Sequence, residues 1–375
     1  MEKRKFEKLQ AETSLLGFGC MRFPLTAEGK IDEAEAEKML DLAIASGVNY
    51  IDTAYPYHNG DSEPFVGRVL DKYDRSSYYL ATKLPVWKVE TTEDAKQIFE
   101  EQLERLHKEY VDFYLLHALN KERWETVKRL KLLPYLEEMK REGKIRYIGF
   151  SFHDEYEVFE EILNAYDWDF CQIQFNYMDT EEQAGLKGYE LAQKKGIPMV
   201  IMEPVKGGML AALPDEIAAN LKAVRPNDSI PAWALRFVGT YPNVKVILSG
   251  MSDMQQVKDN LKTFMNFEPL NEQEKVLIAE TAEALRARVQ NGCTACRYCM
   301  PCPAGVDIPR NFRIWNEYHV YQNKERARKS YFQDFEESAW AKNCVRCGKC
   351  ETVCPQHLSI RKDLARVTAD METLR

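Results

Sequence analysis

"YYLATKLPVWKVETTEDAKQIFEEQLERLHKEYVDFYLLHA", residues 78–118, carries the pattern that decides the fold. It opens on an apolar run, "YYLATKL" (78–84), and ends on another, "VDFYLLHA" (111–118). Between them "TEDAKQIFEEQLERLHK" (92–108) has the spacing of an amphipathic helix. Short runs of β-branched and aromatic residues that are apolar throughout read as strands buried on both faces. Two such strands joined through a helix form a parallel pair.

The same alternation extends from residue 14 to about 265. The other strand candidates are "SLLGFGC" (14–20), "NYIDTA" (49–54), "IRYIGFS" (145–151), "FCQIQFNY" (170–177), "PMVIMEPV" (198–205) and "VKVILSG" (244–250). The first crossover helix is "EAEAEKMLDLAIASG" (33–47), with Gly47 placed as its C-terminal cap. Eight strands, seven crossovers and a helix after the eighth predict an α/β fold, a (β/α)8 TIM barrel, over residues 1–290. "RKFEKLQAETSLLGFG" predicts a short hairpin closing the barrel bottom. The competing Rossmann fold needs a G-x-G-x-x-G turn after its first strand, and "GFGCMRFP" (17–24) lacks it. Residues 271–290 read as one last helix, followed by a smaller domain over 291–375 with a helical, aromatic stretch at 310–340.

Composition narrows the function. No apolar run is long enough to span a bilayer, and "MEKRKFEKLQ" has no signal-peptide core, so a cytoplasmic protein with no membrane partner is expected. Eight of the ten cysteines lie in the last 85 residues, which in a reducing compartment reads as metal ligation. Residues 291–375 hold 14 Lys/Arg and 10 Asp/Glu, a formal +4 against −12 for the remainder. Eight metal-bound thiolates would offset most of this positive charge, so nucleic acid is not an expected partner. "KERARK" (324–329) reads as a solvated helix face.

In a barrel, residues at the C-terminal ends of strands face one mouth. Strand two ends in Asp52 with Tyr57 in the following loop, strand three carries Lys83, and strand four carries His117. A phenol is a poor acid at neutral pH. An adjacent ammonium stabilises the phenolate, and a carboxylate keeps that ammonium charged. An imidazole can bond a carbonyl oxygen and orient it. The four groups together suit protonation of an oxygen while hydride reaches its carbon. Tyr55 and His58 are rival acids in the same loop.

These segments resemble the aldo-keto reductase family. "NYIDTAYPYHNGDSE" (49–63) looks like its signature, with Tyr five residues after Asp and then Gly-x-Ser-Glu, while "ATKLP" and "DFYLLHAL" are similar to its Lys and His segments. The resemblance covers about residues 3–265. It implies Tyr57 as the general acid, Lys83 and Asp52 as its tuning pair, and His117 as the group that positions the carbonyl of a small-molecule substrate. It also implies a nicotinamide cofactor, NADP(H) or NAD(H), across the mouth. The matching positions are Gly19 and Cys20 after strand one, Ser151 and Gln172 at the carboxamide, and Met202 where the stacking ring belongs. Val205 and Gly207 lie in "EPVKGGML", where Gly207 and Gly208 let backbone N–H groups approach pyrophosphate. Gly250, Asp259 and Asn260 lie in the segment near adenine. Departures are Phe152 for the family's Asn, Met202 for an aromatic ring, and Gly250 and Gln256 where basic residues usually meet a 2′-phosphate. Lys206 and Lys258 are candidate replacements, and a flavin is a third cofactor class.

"CVRCGKCETVCP" has the C-x2-C-x2-C-x3-C-P spacing of the bacterial ferredoxin run, in which the fourth Cys ligates the neighbouring 4Fe–4S cluster. "CTACRYCMPCP" is one residue shorter before its last Cys. Crosswise ligation predicts one cluster on Cys293, Cys296, Cys299 and Cys354, and a second on Cys344, Cys347, Cys350 and Cys302. Two structural zinc sites, each on four cysteines, are the alternative. The whole chain resembles aldo-keto reductase-like oxidoreductases with a C-terminal ferredoxin-type domain.

The expected function is nicotinamide-dependent reduction of an aldehyde or ketone. Two alternatives stand beside it: a ferredoxin- or flavin-linked electron-transfer enzyme acting on another substrate, and a non-catalytic nucleotide-binding redox sensor. Nicotinamide moves electron pairs and a cubane moves single electrons. The clusters therefore stabilise the chain, wire it to an external ferredoxin or flavoprotein, or communicate through a flavin in the mouth.

Overall fold

The computed structural model describes residues 1–375. Its strands are β1 (Lys3–Phe6), β2 (Ala11–Ser14), β3 (Leu16–Gly19), β4 (Tyr50–Asp52), β5 (Tyr79–Leu84), β6 (Val111–Leu119), β7 (Ile145–Phe152), β8 (Phe170–Gln174), β9 (Met199–Met202) and β10 (Val244–Ser249). Strands β3 to β10 pair in parallel, each with its successor, and β10 closes on β3. All eight predicted strands thus form the barrel. The predicted crossover helices appear at Glu33–Ala45 and Thr92–Arg105, the latter opened by a capping box between Thr91 and Asp94.

β1 and β2 form the predicted hairpin, with Phe6 opposite Ala11. Arg4 anchors it by donating to the carbonyls of Gly239, Tyr241 and Val244. Phe6 plugs one end of the barrel, its ring 5.4 Å from that of Phe113. The inward cluster comprises Phe6, Tyr50, Ala81, Phe113, Leu115, Phe170, Val200 and Val246 among others. Gly149 makes room for this plug, since a Cβ there would lie 2.5 Å from the Phe170 ring. Outward residues such as Ile51, Leu80, Ile148, Ile173 and Ile201 pack under the helices in a separate core. Each fully buried large side chain contributes roughly 1.5–3 kcal/mol.

Strand side chains alternate with period two, so the residues two beyond the plug face the same interior. Those residues are Asp52 after Tyr50, Lys83 after Ala81, His117 after Leu115, Ser151 after Gly149, Gln172 after Phe170 and Met202 after Val200. The interior is therefore apolar at the bottom and polar at the C-terminal end.

The chain divides into two compact units, residues 1–207 with 231–275, and residues 208–230 with 276–375. The first holds the complete barrel. In the second, helices Ile308–Tyr321, Lys324–Phe332 and Ile360–Glu372 gather around Phe312, Trp315, Tyr331 and Trp340. Arg288 ties to Glu216 at 2.5 Å within this unit. No helix is long and apolar enough to cross a membrane.

Candidate active site and candidate metal centre

The loop after β4 brings Tyr57 back toward the strand ends. His58, Asn59 and Gly60 are successive left-handed residues, with φ of 51°, 55° and 99°. A non-glycine residue held there costs about 1–2 kcal/mol, so the turn is held by its surroundings. β6 is irregular at its end: its register shifts between Leu116 and Leu119, and Ala118 is left-handed at φ 51°. The Ala118 N–H donates to Ser151 Oγ at 2.7 Å, which fixes the chain directly after His117.

The structure brings Asp52, Tyr57, Lys83 and His117 together. Lys83 is fully buried, and its three ammonium hydrogens are all engaged. They reach Asp52 Oδ1 at 2.7 Å, the Thr53 carbonyl at 2.7 Å and the Tyr57 hydroxyl at 3.3 Å. The Tyr57 oxygen accepts from Lys83, which leaves its own O–H to donate elsewhere. The His117 ring lies 6.0 Å from the Tyr57 ring and 5.0 Å from that of Trp87.

Burial pushes the Lys83 ammonium down, but Asp52 and Tyr57 outweigh it and hold Lys83 above its ordinary value. Burial pushes Asp52 up; its contact with Lys83 opposes this, and we read the pair as ionised. Lys83 lowers the Tyr57 pKa, as expected, but in the protein alone burial outweighs it. Burial raises the Tyr57 pKa above its ordinary value, and the lowering by Lys83 only partly offsets it because Asp52 already neutralises that charge. Burial, reinforced by Lys83, lowers His117 well below the usual imidazole range, so it is neutral. Its buried Nδ1 has no hydrogen-bond partner.

The rival acids are engaged elsewhere. Tyr55 donates to Glu101 at 2.9 Å under the guanidinium of Arg105, and His58 Nε2 accepts from the Phe23 N–H at 3.2 Å. Phe152, which stands where the family has Asn, and Trp124 are core residues: Trp124 packs on Trp168 and Phe152 on Phe159.

A buried layer beneath Lys83 escaped the sequence reading. Glu63 Oε1 accepts from Thr82 at 2.6 Å and Gln102 at 2.7 Å. Gln102 also donates to the Lys83 carbonyl at 3.0 Å and accepts from Tyr114 at 2.7 Å. Glu63 was visible only as the last letter of the signature; Gln102 is a polar residue on the buried face of the Thr92–Arg105 helix.

The expected cofactor positions occupy the same end of the barrel. Gly19 pairs with Asp52, Ser151 with Gln172, and Gln174 with Met202. Cys20 is buried, its N–H donating to the Asp52 carbonyl at 2.8 Å. Gln172 donates to Met202 Sδ at 3.5 Å, while its buried Oε1 has no partner. An orphaned amide oxygen suits a donor such as a carboxamide. Val205 packs against the barrel core, and Gly207, with φ +60°, has no atom within 4 Å of the Cβ it lacks. Asn260 donates to Ser249 at 2.8 Å, one residue before Gly250, and Asp259 precedes it on the helix Met254–Met265. Of the two lysines named as replacements, Lys206 pairs with Asp179 at 2.5 Å and Lys258 is exposed. Arg22, in the loop after β3, reaches Gly250, its Cγ 2.8 Å from a Cβ built there.

The eight C-terminal cysteines line two cavities. Cys293, Cys296, Cys299 and Cys354 line one; Cys302, Cys344, Cys347 and Cys350 line the other, which Cys299 also borders. The two motifs share a backbone shape. Ala295 and Arg297 are left-handed in the first, and Arg346 and Gly348 in the second, two and four residues after the leading Cys. No three Cys, His, Asp or Glu side chains gather closely enough to hold a single ion. Two four-cysteine cavities of this kind fit polynuclear clusters better than tight tetrahedral zinc sites.

Comparison with known proteins agrees with both regions. A model of the aldo/keto reductase family matches residues 15–283, and one of a 4Fe-4S dicluster domain matches residues 292–358. An uncharacterized oxidoreductase, YqkF, of Bacillus subtilis is 27% identical over 76% of this chain and 97% of its own length. An NADH-specific methylglyoxal reductase of Escherichia coli is 26% identical over 64% of this chain and 85% of its own. Among solved structures, aldo-keto reductase AKR11C1 from Bacillus halodurans in its holo form aligns with a TM-score of 0.61 and 28% identity, over 75% of this chain and 96% of its own.

Proposed function

Because this chain belongs to the aldo/keto reductase family and ends in a 4Fe-4S domain, we propose that it reduces an aldehyde or ketone with a reduced nicotinamide dinucleotide and carries two 4Fe–4S clusters. The observation that carries the reading is the Lys83 ammonium held between Asp52 at 2.7 Å and the Tyr57 hydroxyl at 3.3 Å. In this role Tyr57 donates its proton to the carbonyl oxygen. Lys83 stabilises the phenolate left behind, and Asp52 keeps Lys83 ionised. Neutral His117 donates a hydrogen bond to the same carbonyl oxygen and orients it. Bound nicotinamide supplies the hydride to the carbonyl carbon. Gln172 and Ser151 would hold its carboxamide end, Met202 its ring face, and Gly19, Cys20, Val205, Gly207, Gly250, Asp259 and Asn260 the rest of the dinucleotide. The orphaned Gln172 oxygen supports that placement. The name of the Escherichia coli relative supports a small aldehyde or ketone as substrate.

The two cysteine-lined cavities support two clusters on the crosswise ligand sets, exchanging single electrons with a ferredoxin or flavoprotein in a reducing cytoplasm. Anaerobic purification, analysis of iron and sulfide, and assay of aldehydes with NADH and NADPH test the whole reading. Turnover that survives Tyr57→Phe would sink the catalytic part. Zinc without sulfide would sink the cluster part.

A further inference from the structure

We infer that the two clusters are unequal: the one held by Cys302, Cys344, Cys347 and Cys350 takes the first electron. The inference rests on the two-cluster reading above and is independent of the barrel chemistry. A 4Fe–4S cluster that gains one electron, with no proton, becomes more negative by one charge. Its potential depends on nearby charge, hydrogen bonds to sulfur and exposure to solvent. Two of these factors are closely matched between the sites. Each has one exposed cysteine, Cys296 or Cys347, with its other three partly buried. Each has left-handed backbone at the same two positions, which presents N–H groups alike.

Charge is where they differ. Arg346, Lys349 and Arg361 line the cavity of Cys302, Cys344, Cys347 and Cys350; Arg297 is the one charged residue lining the other. The Arg361 guanidinium lies over the ligand loop, its Nη1 3.5 Å from a Cβ built on Gly348. Glu351 offsets Arg361 at 2.6 Å, and Asp307 offsets Arg297 at 3.8 Å. The remaining balance is two positive charges beside one cavity and none beside the other. Positive charge stabilises the reduced cluster, so this site has the higher potential.

The test is an anaerobic redox titration of the full chain with dithionite, followed by electron paramagnetic resonance, after iron and sulfide analysis. Two separable one-electron steps are expected. Arg346→Gln with Lys349→Gln should lower only the higher step, reducing the ratio of reduced to oxidised cluster at fixed potential by roughly tenfold, or about 59 mV for a one-electron couple. Arg297→Gln should leave that step in place and lower the other. Both variants spare the Arg361–Glu351 pair, and raised ionic strength should narrow the gap in the unmodified chain. Coincident steps, a shift on the wrong step, or fewer than about eight irons per chain overturns the inference, whether or not the barrel reduces carbonyls.

Discussion

The two functional regions are built on opposite principles. In the barrel, the Lys83 ammonium proposed to serve the acid is already bonded to protein: it uses all three hydrogens, and Glu63 and Gln102 brace its strand. In the C-terminal unit the cysteines sit on irregular loops bordering cavities, and non-glycine residues such as Ala295, Arg297 and Arg346 adopt left-handed backbone. A rigid sheet orders the first site before any cofactor arrives. On the proposed reading the second would depend on what it binds, because metal ligation would supply folding free energy to those loops.

The strongest way to break this contrast is to remove the clusters. Chelation under oxidation, or Cys344→Ser, should expose the loops at 293–302 and 344–354 to protease within minutes, while circular dichroism retains the barrel's β signal. Intact loops in iron-free protein would show that these segments fold unaided. Next in size is Tyr57→Phe, expected to lower kcat about 10³-fold with cofactor affinity, followed by fluorescence, unchanged. A matching loss of affinity would mean that the hydroxyl orders the site instead of donating a proton.

Smaller effects sharpen the claim of preorganisation. Gln102→Leu strands Glu63 and Tyr114 in the interior and should cost about 2 kcal/mol in urea unfolding. A neutral result would remove that layer from the account of the site. The smallest is a pH effect. Burial lowers the pKa of His117, His153 and His58, so near pH 6.5 the unfolded chain binds more protons than the folded barrel. Stability is therefore fully present above about pH 6.5 and is lost as pH falls toward the depressed folded values, by on the order of 1 kcal/mol. A urea midpoint that stays flat or rises between about pH 7 and 5.5 contradicts this sign.

Much of the architecture was legible because strand burial and cysteine spacing are local signals. Apolar runs marked all eight barrel strands, and the crosswise cysteine sets read from the two motifs are the sets that line the two cavities. Their places at the C-terminal ends of strands put Asp52, Lys83 and His117 at one mouth. Sequence logic fell short where the effect is environmental. Lys83 does lower the Tyr57 pKa as expected, but the opposing burial, which sets the net direction, was not legible in the sequence.

By itself, then, the sequence determined the closed barrel, the ligand spacing and the residue types at the mouth, because each is written in residues close along the chain. Only the tertiary structure decided which groups neutralise one another. Gln102 meets Glu63 from 39 residues away, Lys206 meets Asp179 from 27, and Arg361 settles over Gly348. Electrostatic energy depends on distance and burial in space, and neither follows from position along a chain.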